Sequence, residues 1–133
     1  MSKWPLGVFA SIDAGFGVRL EIAQELGVST IHLHTPSKPS RTDQRAREFR
    51  SRIDELGIRV TCVFAGFEGE SYADIPTVKK TVGLVPPETR EQRAAELREI
   101  ADFAKLLEVD VVSIHVGFDP HDRDDHDFTS VIE

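Results

Sequence analysis

Apolar positions along this chain gather into short runs, and three of the runs are introduced in the same way. Leu26-Gly27-Val28 leads into Thr30-Ile31-His32-Leu33-His34. Leu56-Gly57-Ile58 leads into Val60-Thr61-Cys62-Val63-Phe64, and Leu107-Glu108-Val109 leads into Val111-Val112-Ser113-Ile114-His115-Val116-Gly117. Between the runs, apolar residues recur at helical spacing. The pattern predicts a βα unit used repeatedly: helix, tight turn, buried strand, functional loop. Such folds place their chemistry at the carboxyl ends of parallel strands.

Taken in order, the chain predicts a first strand over 6–9 and a loop over 10–17 that carries Asp13. A first helix follows, with Val18, Ile22, Ala23 and Leu26 on one face and Gly27 as its stop. The second strand covers 30–33 or 34. Two prolines, Pro36 and Pro39, predict an irregular loop after it. Ser40, with Asp43 behind it, reads as the cap of a second helix that faces Ala46, Phe49, Ile53 and Leu56 inward. The third strand covers 59–64. Residues 65–87 then form a connection longer than a βα loop requires, a length found in functional or partner-ordered segments. Thr89 and Gln92 fit a capping box for a third helix that buries Ala94, Leu97, Ile100, Ala101, Ala104 and Leu107. The fourth strand, over 111–116, is apolar at nearly every position, as expected where both faces are covered. An acidic loop over 119–127 precedes the opening turns of a final helix from Phe128.

The chain has 133 residues, 40% hydrophobic and 29% charged. That suffices for one domain, residues 1–133, with a true core. The formal net charge of −7 disfavours a nucleic-acid partner and docking on anionic membranes. No apolar stretch approaches the ~20 residues of a membrane span, and the amino terminus lacks the apolar core of a signal peptide. The single cysteine, Cys62, makes no internal disulfide and reads as a small buried side chain. These features fit a cytoplasmic protein.

Two strand-end histidines are the main chemical candidates. Alternation in the second strand puts Ile31 and Leu33 on one face and His32 and His34 on the other. His34 sits where the strand opens into Thr35-Pro36 and suits a base, an electrophile or a metal ligand; His32, deeper in the strand, reads as structural. His115 interrupts an apolar run, where an unpaired imidazole is costly to bury, and Gly117 beside it permits close approach of a ligand. Glu68 and Glu70 stand between glycines after the third strand, a setting that suits metal or hydroxyl binding, and spacing does not choose between them. Tyr72 is placed to cover a ligand. The acidic run from His121 to Asp127 lacks the spacing of a calcium loop and reads as solvated. Arg41, Arg45, Arg47, Arg50 and Arg52 read as the solvent side of the second helix. No phosphate loop, nucleophile elbow or dinucleotide fingerprint is present.

Val8-Phe9-Ala10-Ser11, His32-Leu33-His34-Thr35-Pro36, the run from Phe64 to Tyr72 and Ile114-His115-Val116-Gly117 carry a resemblance. They resemble the amino-terminal half of a sugar phosphate isomerase/epimerase of the xylose isomerase-like TIM-barrel superfamily. The resemblance implies α/β architecture: a partial (β/α)8 barrel of about four βα units with parallel strands, where a complete barrel takes ~250 residues. It implies proton transfer next to a sugar carbonyl, assisted by a divalent metal ion such as Mn, Mg, Zn or Co. It places His34 and His115 among the catalytic groups, His115 as a metal ligand, and Glu68, Glu70 and Tyr72 against the substrate, a small sugar or sugar phosphate. The main metal ligands of such enzymes come from later strands. The chain alone is therefore expected to be inactive or dependent on self-association, with a homodimer through open sheet edges as one route. Three other readings stand beside this one. They are a non-catalytic half-barrel that binds a ligand or partner, an abasic-site endonuclease-type barrel that the acidic surface disfavours, and an open flavodoxin-like sheet.

Overall fold

The computed structural model describes residues 4–13 and 17–132. Four strands form one parallel sheet in the order β1-β2-β3-β4: β1 (Gly7–Ser11), β2 (Thr30–His34), β3 (Arg59–Ala65) and β4 (Val112–Ile114). The helices are α1 (Leu20–Glu25), α2 (Asp43–Glu55), α3 (Ile75–Thr81), α4 (Pro87–Leu106) and α5 (His126–Ile132). The chain divides into two compact units, Met1–Ala65 with Ile100–Ser113, and Gly66–Glu99 with Ile114–Glu133.

In the first unit the alternation along β2 holds. Ile31 and Leu33 are fully buried, whereas His32 is exposed and His34 half-buried. The apolar side of the sheet meets Leu20 and Ala23 of α1, Ala46, Phe49 and Ile53 of α2, and Ile100, Phe103 and Ala104 of α4 as one set of buried side chains. β1 and β2 run in unbroken register, Gly7 beside Thr30 through Ser11 beside His34. Between β2 and β3 the register shifts after Ile31, which pairs with Val60, while His32 pairs with Cys62. The skipped residue, Thr61, donates its hydroxyl to the Ile31 carbonyl at 3.1 Å, which satisfies the acceptor the irregularity disturbs. Cys62 is buried, with Sγ 3.0 Å from Ser113 Oγ.

The three introductory turns share one backbone device. Gly27, Gly57 and Glu108 occupy the same place after a helix, with φ of 68°, 63° and 57°. The left-handed conformation costs a glycine little and a side chain about 1–2 kcal/mol. Glu108 keeps its place with a 2.8 Å ion pair to Arg50, and exposed pairs of this kind contribute little. Replacing Glu108 by glycine is expected to stabilise the protein by about 0.5–1 kcal/mol, read as a higher urea midpoint.

Several boundaries differ from the expectation, each for a local reason. Val18 stands outside α1 in a bridge to Ala10, its N–H donating to the Phe9 carbonyl at 2.8 Å. Leu26, expected on the buried face, is 60% exposed as the cap residue. The proline-bearing loop contains a single 3-10 turn, Lys38–Ser40, because Pro39 sits in its first turn, where no N–H is required. The cap of α2 is Thr42 rather than Ser40; the Thr42 hydroxyl accepts the Arg45 N–H at 3.3 Å. α4 starts at Pro87, ahead of the expected cap Thr89, since proline presets the helical φ at the first position. The long connection holds α3, capped by Asp74, which accepts the Thr77 N–H at 2.8 Å. β4 is shorter than expected and only half-buried, with Val111 and Val116 exposed. The final helix opens at His126, two residues early, where the Asp125 carboxylate takes the Asp127 N–H. Of the loop expected over 10–17, residues 14–16 lie outside the described residues.

Candidate functional site

The second unit is built around the residues that follow β4. The segment 82–85 lies against them at backbone distance. Leu84 and Val85 donate their N–H groups to the Val116 carbonyl at 2.7 and 3.2 Å. Gly83, at φ +70°, approaches so closely that a Cβ there would stand 2.2 Å from the Val116 carbonyl carbon and 2.4 Å from the His115 oxygen. Gly117 returns the approach: a Cβ on it would meet the Val82 oxygen at 2.5 Å. Only glycine permits such contact.

The carbonyls of the same segment are taken by two arginines of α4. Arg93 is 5% exposed and donates to the Gly83 oxygen at 2.8 Å. It also reaches the Glu68 carbonyl at 3.5 Å and lies 5.4 Å from the centre of the Phe67 ring. Arg90 donates to the carbonyls of Leu84 and Val85 and pairs with Asp127 at 2.8 Å. Arg93 escaped the sequence reading, although a signal existed. It occupies the same helical stripe as Ile100, Phe103 and Leu107, a core position where arginine requires partners.

Glu70 ties the loop after β3 to this scaffold. Its two carboxylate oxygens accept the N–H groups of Gly83 at 2.8 Å and Phe67 at 3.3 Å. Tyr72, two residues on, places its hydroxyl 2.8 Å from Nδ1 of His115, with the rings edge to face at 5.7 Å. Burial raises the Tyr72 phenol above its ordinary range, and the negative charge of Glu70 pushes it the same way, against a smaller opposing pull from Arg93. At neutral pH Tyr72 is therefore a phenol, not a phenolate. Of the residues singled out in the sequence, the fold thus brings Glu70, Tyr72 and His115 together. Glu68 is exposed and enters the scaffold through its backbone. His115 lies just past β4 and is exposed, so the expected cost of burying it does not arise.

In the first unit, His34 is the last residue of β2. Its ring lies 6.1 Å from that of Phe64, and Phe9 makes edge contacts with Phe64 at 5.5 Å and with His32 at 5.4 Å. These four rings share the face of the sheet opposite Ile31 and Leu33. Beyond β1, Asp13 accepts the hydroxyl and N–H of Ser37 at 2.8 and 3.2 Å. Burial alone would raise its carboxyl; the bonds from Ser37 and Ser40 outweigh that and hold it below the ordinary range. An open cleft of about 430 Å³ runs from Asp13 to α2. Of the arginines that line it, the two from α2 are paired, Arg45 with Glu48 at 3.1 Å and Arg52 with Glu21 at 3.5 Å, which fits the solvent-side reading of that helix.

Among the described residues, no three histidine, cysteine, aspartate or glutamate side chains converge as a metal cage. The groups present therefore do not by themselves fit the divalent metal that the resemblance implied. No helix among the described residues is long and apolar enough to cross a membrane.

A parallel βα sheet with polar groups at the ends of its strands defines an α/β-barrel type of chain, here in part. The chain belongs to the xylose isomerase-like TIM barrel family, whose family model matches residues 20–133. Its structure is similar to that of a xylose isomerase domain protein from Planctomyces limnophilus, with 50% sequence identity and a TM-score of 0.92 over 97% of this chain and 45% of that one. Two D-psicose 3-epimerase structures share the fold at 15% identity. One, solved in the presence of D-fructose, has a TM-score of 0.57 over 92% of this chain and 41% of its own. The other, from Clostridium cellulolyticum H10 with D-tagatose, has a TM-score of 0.61 over 97% and 45%. The chain thus spans less than half the length of these structures. No curated protein sequence matches it.

Proposed function

We propose that the chain forms the amino-terminal part of the sugar site of an isomerase or epimerase, acting on a small sugar or sugar phosphate by proton transfer next to its carbonyl. The observation that carries this reading is the Tyr72–His115 hydrogen bond of 2.8 Å just past β4, where α/β barrels place their chemistry. An exposed imidazole braced by a phenol suits hydrogen bonding to a sugar oxygen and the movement of a proton at that oxygen or its neighbouring carbon. His34, at the end of β2, is assigned a second imidazole role toward the substrate. Glu68 offers an exposed carboxylate to sugar hydroxyls, and Tyr72 covers the ligand. Glu70 serves by holding the loop, since both its oxygens already accept backbone N–H groups.

His115 is proposed as the one ligand this chain would offer to a divalent metal, and a single imidazole does not fix such an ion by itself. The described residues bring no further pair of ligands beside it. The 50% identity with a xylose isomerase domain protein and the fold shared with two ketose epimerase structures support the substrate class. The test is a titration of the 15N-labelled chain with D-fructose and with a ketose phosphate, followed by NMR. Saturable shifts confined to 68–72 and 115–117 are the expected outcome. Shifts confined elsewhere, or none, overturn the assignment.

A further inference from the structure

A free sugar and its phosphate ester differ chiefly in charge, and the two segments that meet at Tyr72 and His115 are one-sided in charge. Residues 66–78 carry Glu68, Glu70 and Asp74 with no lysine or arginine, and residues 111–122 carry Asp119 and Asp122 with none. Three cations that border these segments are already engaged. Arg93 and Arg90 donate to the carbonyls of Gly83, Leu84 and Val85, and Arg90 also pairs with Asp127. Lys79 holds its Nζ 4.2 Å over the Phe118 ring and shares a cleft with Asp122, Asp125 and Asp127.

The carboxylates of the loop are not alike. Glu70 has both oxygens on backbone N–H groups, and Asp74 caps α3. Glu68 enters the scaffold only through its backbone. It takes the second place of a four-residue turn, Phe67–Glu70, which the Glu70 N–H closes on the Phe67 carbonyl at 3.4 Å. Gly69 takes the third place at φ +83°, where a turn of this kind favours glycine. Arg93 reaches the Glu68 carbonyl at 3.5 Å and Glu70 accepts the Phe67 N–H at 3.3 Å, so the turn is braced at both of its first two residues. The exposed Glu68 side chain thus sets a negative charge on a fixed loop tip beside the site.

We propose that Glu68 is a specificity-determining residue that makes this site select a neutral sugar and reject its phosphate ester. The proposal rests on the sugar-site reading and narrows its substrate class. A phosphate monoester brings about −1.5 to −2 charge at pH 7. Two like unit charges about 4 Å apart in water weaken binding about fivefold, and salt near 1 M screens them within about 3 Å.

The experiment is an NMR titration of the labelled chain with D-fructose and, separately, with D-fructose 6-phosphate, at low salt and at about 1 M NaCl. D-fructose is expected to bind at least about fivefold more tightly at low salt, and the gap is expected to close at high salt. In Glu68→Lys the ratio of the two affinities is expected to move at least about tenfold toward the phosphate, the effect of reversing one charge. The urea midpoint of this exposed-site variant should stay that of the wild type. Equal or tighter binding of the phosphate by the wild-type chain, as follows if Lys80 of α3 receives it, overturns the proposal and leaves the sugar site standing. A gap that neither salt nor Glu68→Lys moves is steric and overturns it as well. No response to either sugar overturns the sugar site and this proposal together.

Discussion

Gly83→Ala is expected to cost about 3–5 kcal/mol, combining the left-handed backbone penalty with the strain of overpacking. The control lies within the same molecule. Gly57 has nearly the same φ, 63° against 70°, yet a Cβ there meets nothing within 4 Å. Gly57→Ala therefore loses only the conformational part, about 1–2 kcal/mol. The difference between the two variants isolates the backbone contact of Gly83 with Val116, which has no flexible side chain to yield. Urea unfolding midpoints of both proteins decide the matter. Equal losses would show that the segment 82–85 does not press on the residues after β4. The Gly83 variant should also loosen Tyr72 from His115, because Glu70 anchors on the Gly83 N–H.

The second large effect belongs to Arg93. Its guanidinium is buried, donates to the Gly83 carbonyl at 2.8 Å and covers the Phe67 ring. Arg93→Ala removes a charged hydrogen bond, strands a buried carbonyl and opens space in the packing. Together these are expected to cost about 3 kcal/mol. Arg93→Lys keeps the charge and loses the planar fork that reaches two carbonyls, so it should recover only part of the loss. A neutral alanine variant, within about 0.5 kcal/mol as for an ordinary surface site, would contradict the role given to Arg93.

Periodicity hides both the close approach at Gly83 and the partners of the buried Arg93. The repeat of helix, turn and strand was legible because burial imposes a period on each element: Ile31 and Leu33 inward, His32 and His34 on the other face. The turns at Gly27 and Gly57 were legible for the same reason, and Glu108 by its equivalent place. The strand-end position of His115 followed from the fold class. The register shift at Thr61 was not legible, since one skipped residue leaves the apolar composition of β3 unchanged. α3 escaped because seven residues of mixed polarity between prolines and glycines carry too few turns to show a face. The pairing of Tyr72 with His115 joins residues 43 apart in sequence, and nothing local encodes it. Glu70 and Glu68 look alike as letters. Only the N–H groups of Gly83 and Phe67 distinguish the brace from the exposed carboxylate.

The proposed sugar site depends on the group formed by Tyr72 and His115 meeting a sugar. The most direct measurement is the NMR titration with a ketohexose, run in parallel on the wild-type chain and on His115→Ala. The exposed position of His115 means that the variant should keep its fold and its unfolding midpoint. The expected result is a saturable response at 68–72 and 115–117 in the wild type that is weakened at least about tenfold in the variant, the effect of losing one charged or strongly polar contact of about 1.4 kcal/mol. An equal response in both proteins, or one that bypasses these residues, would contradict it.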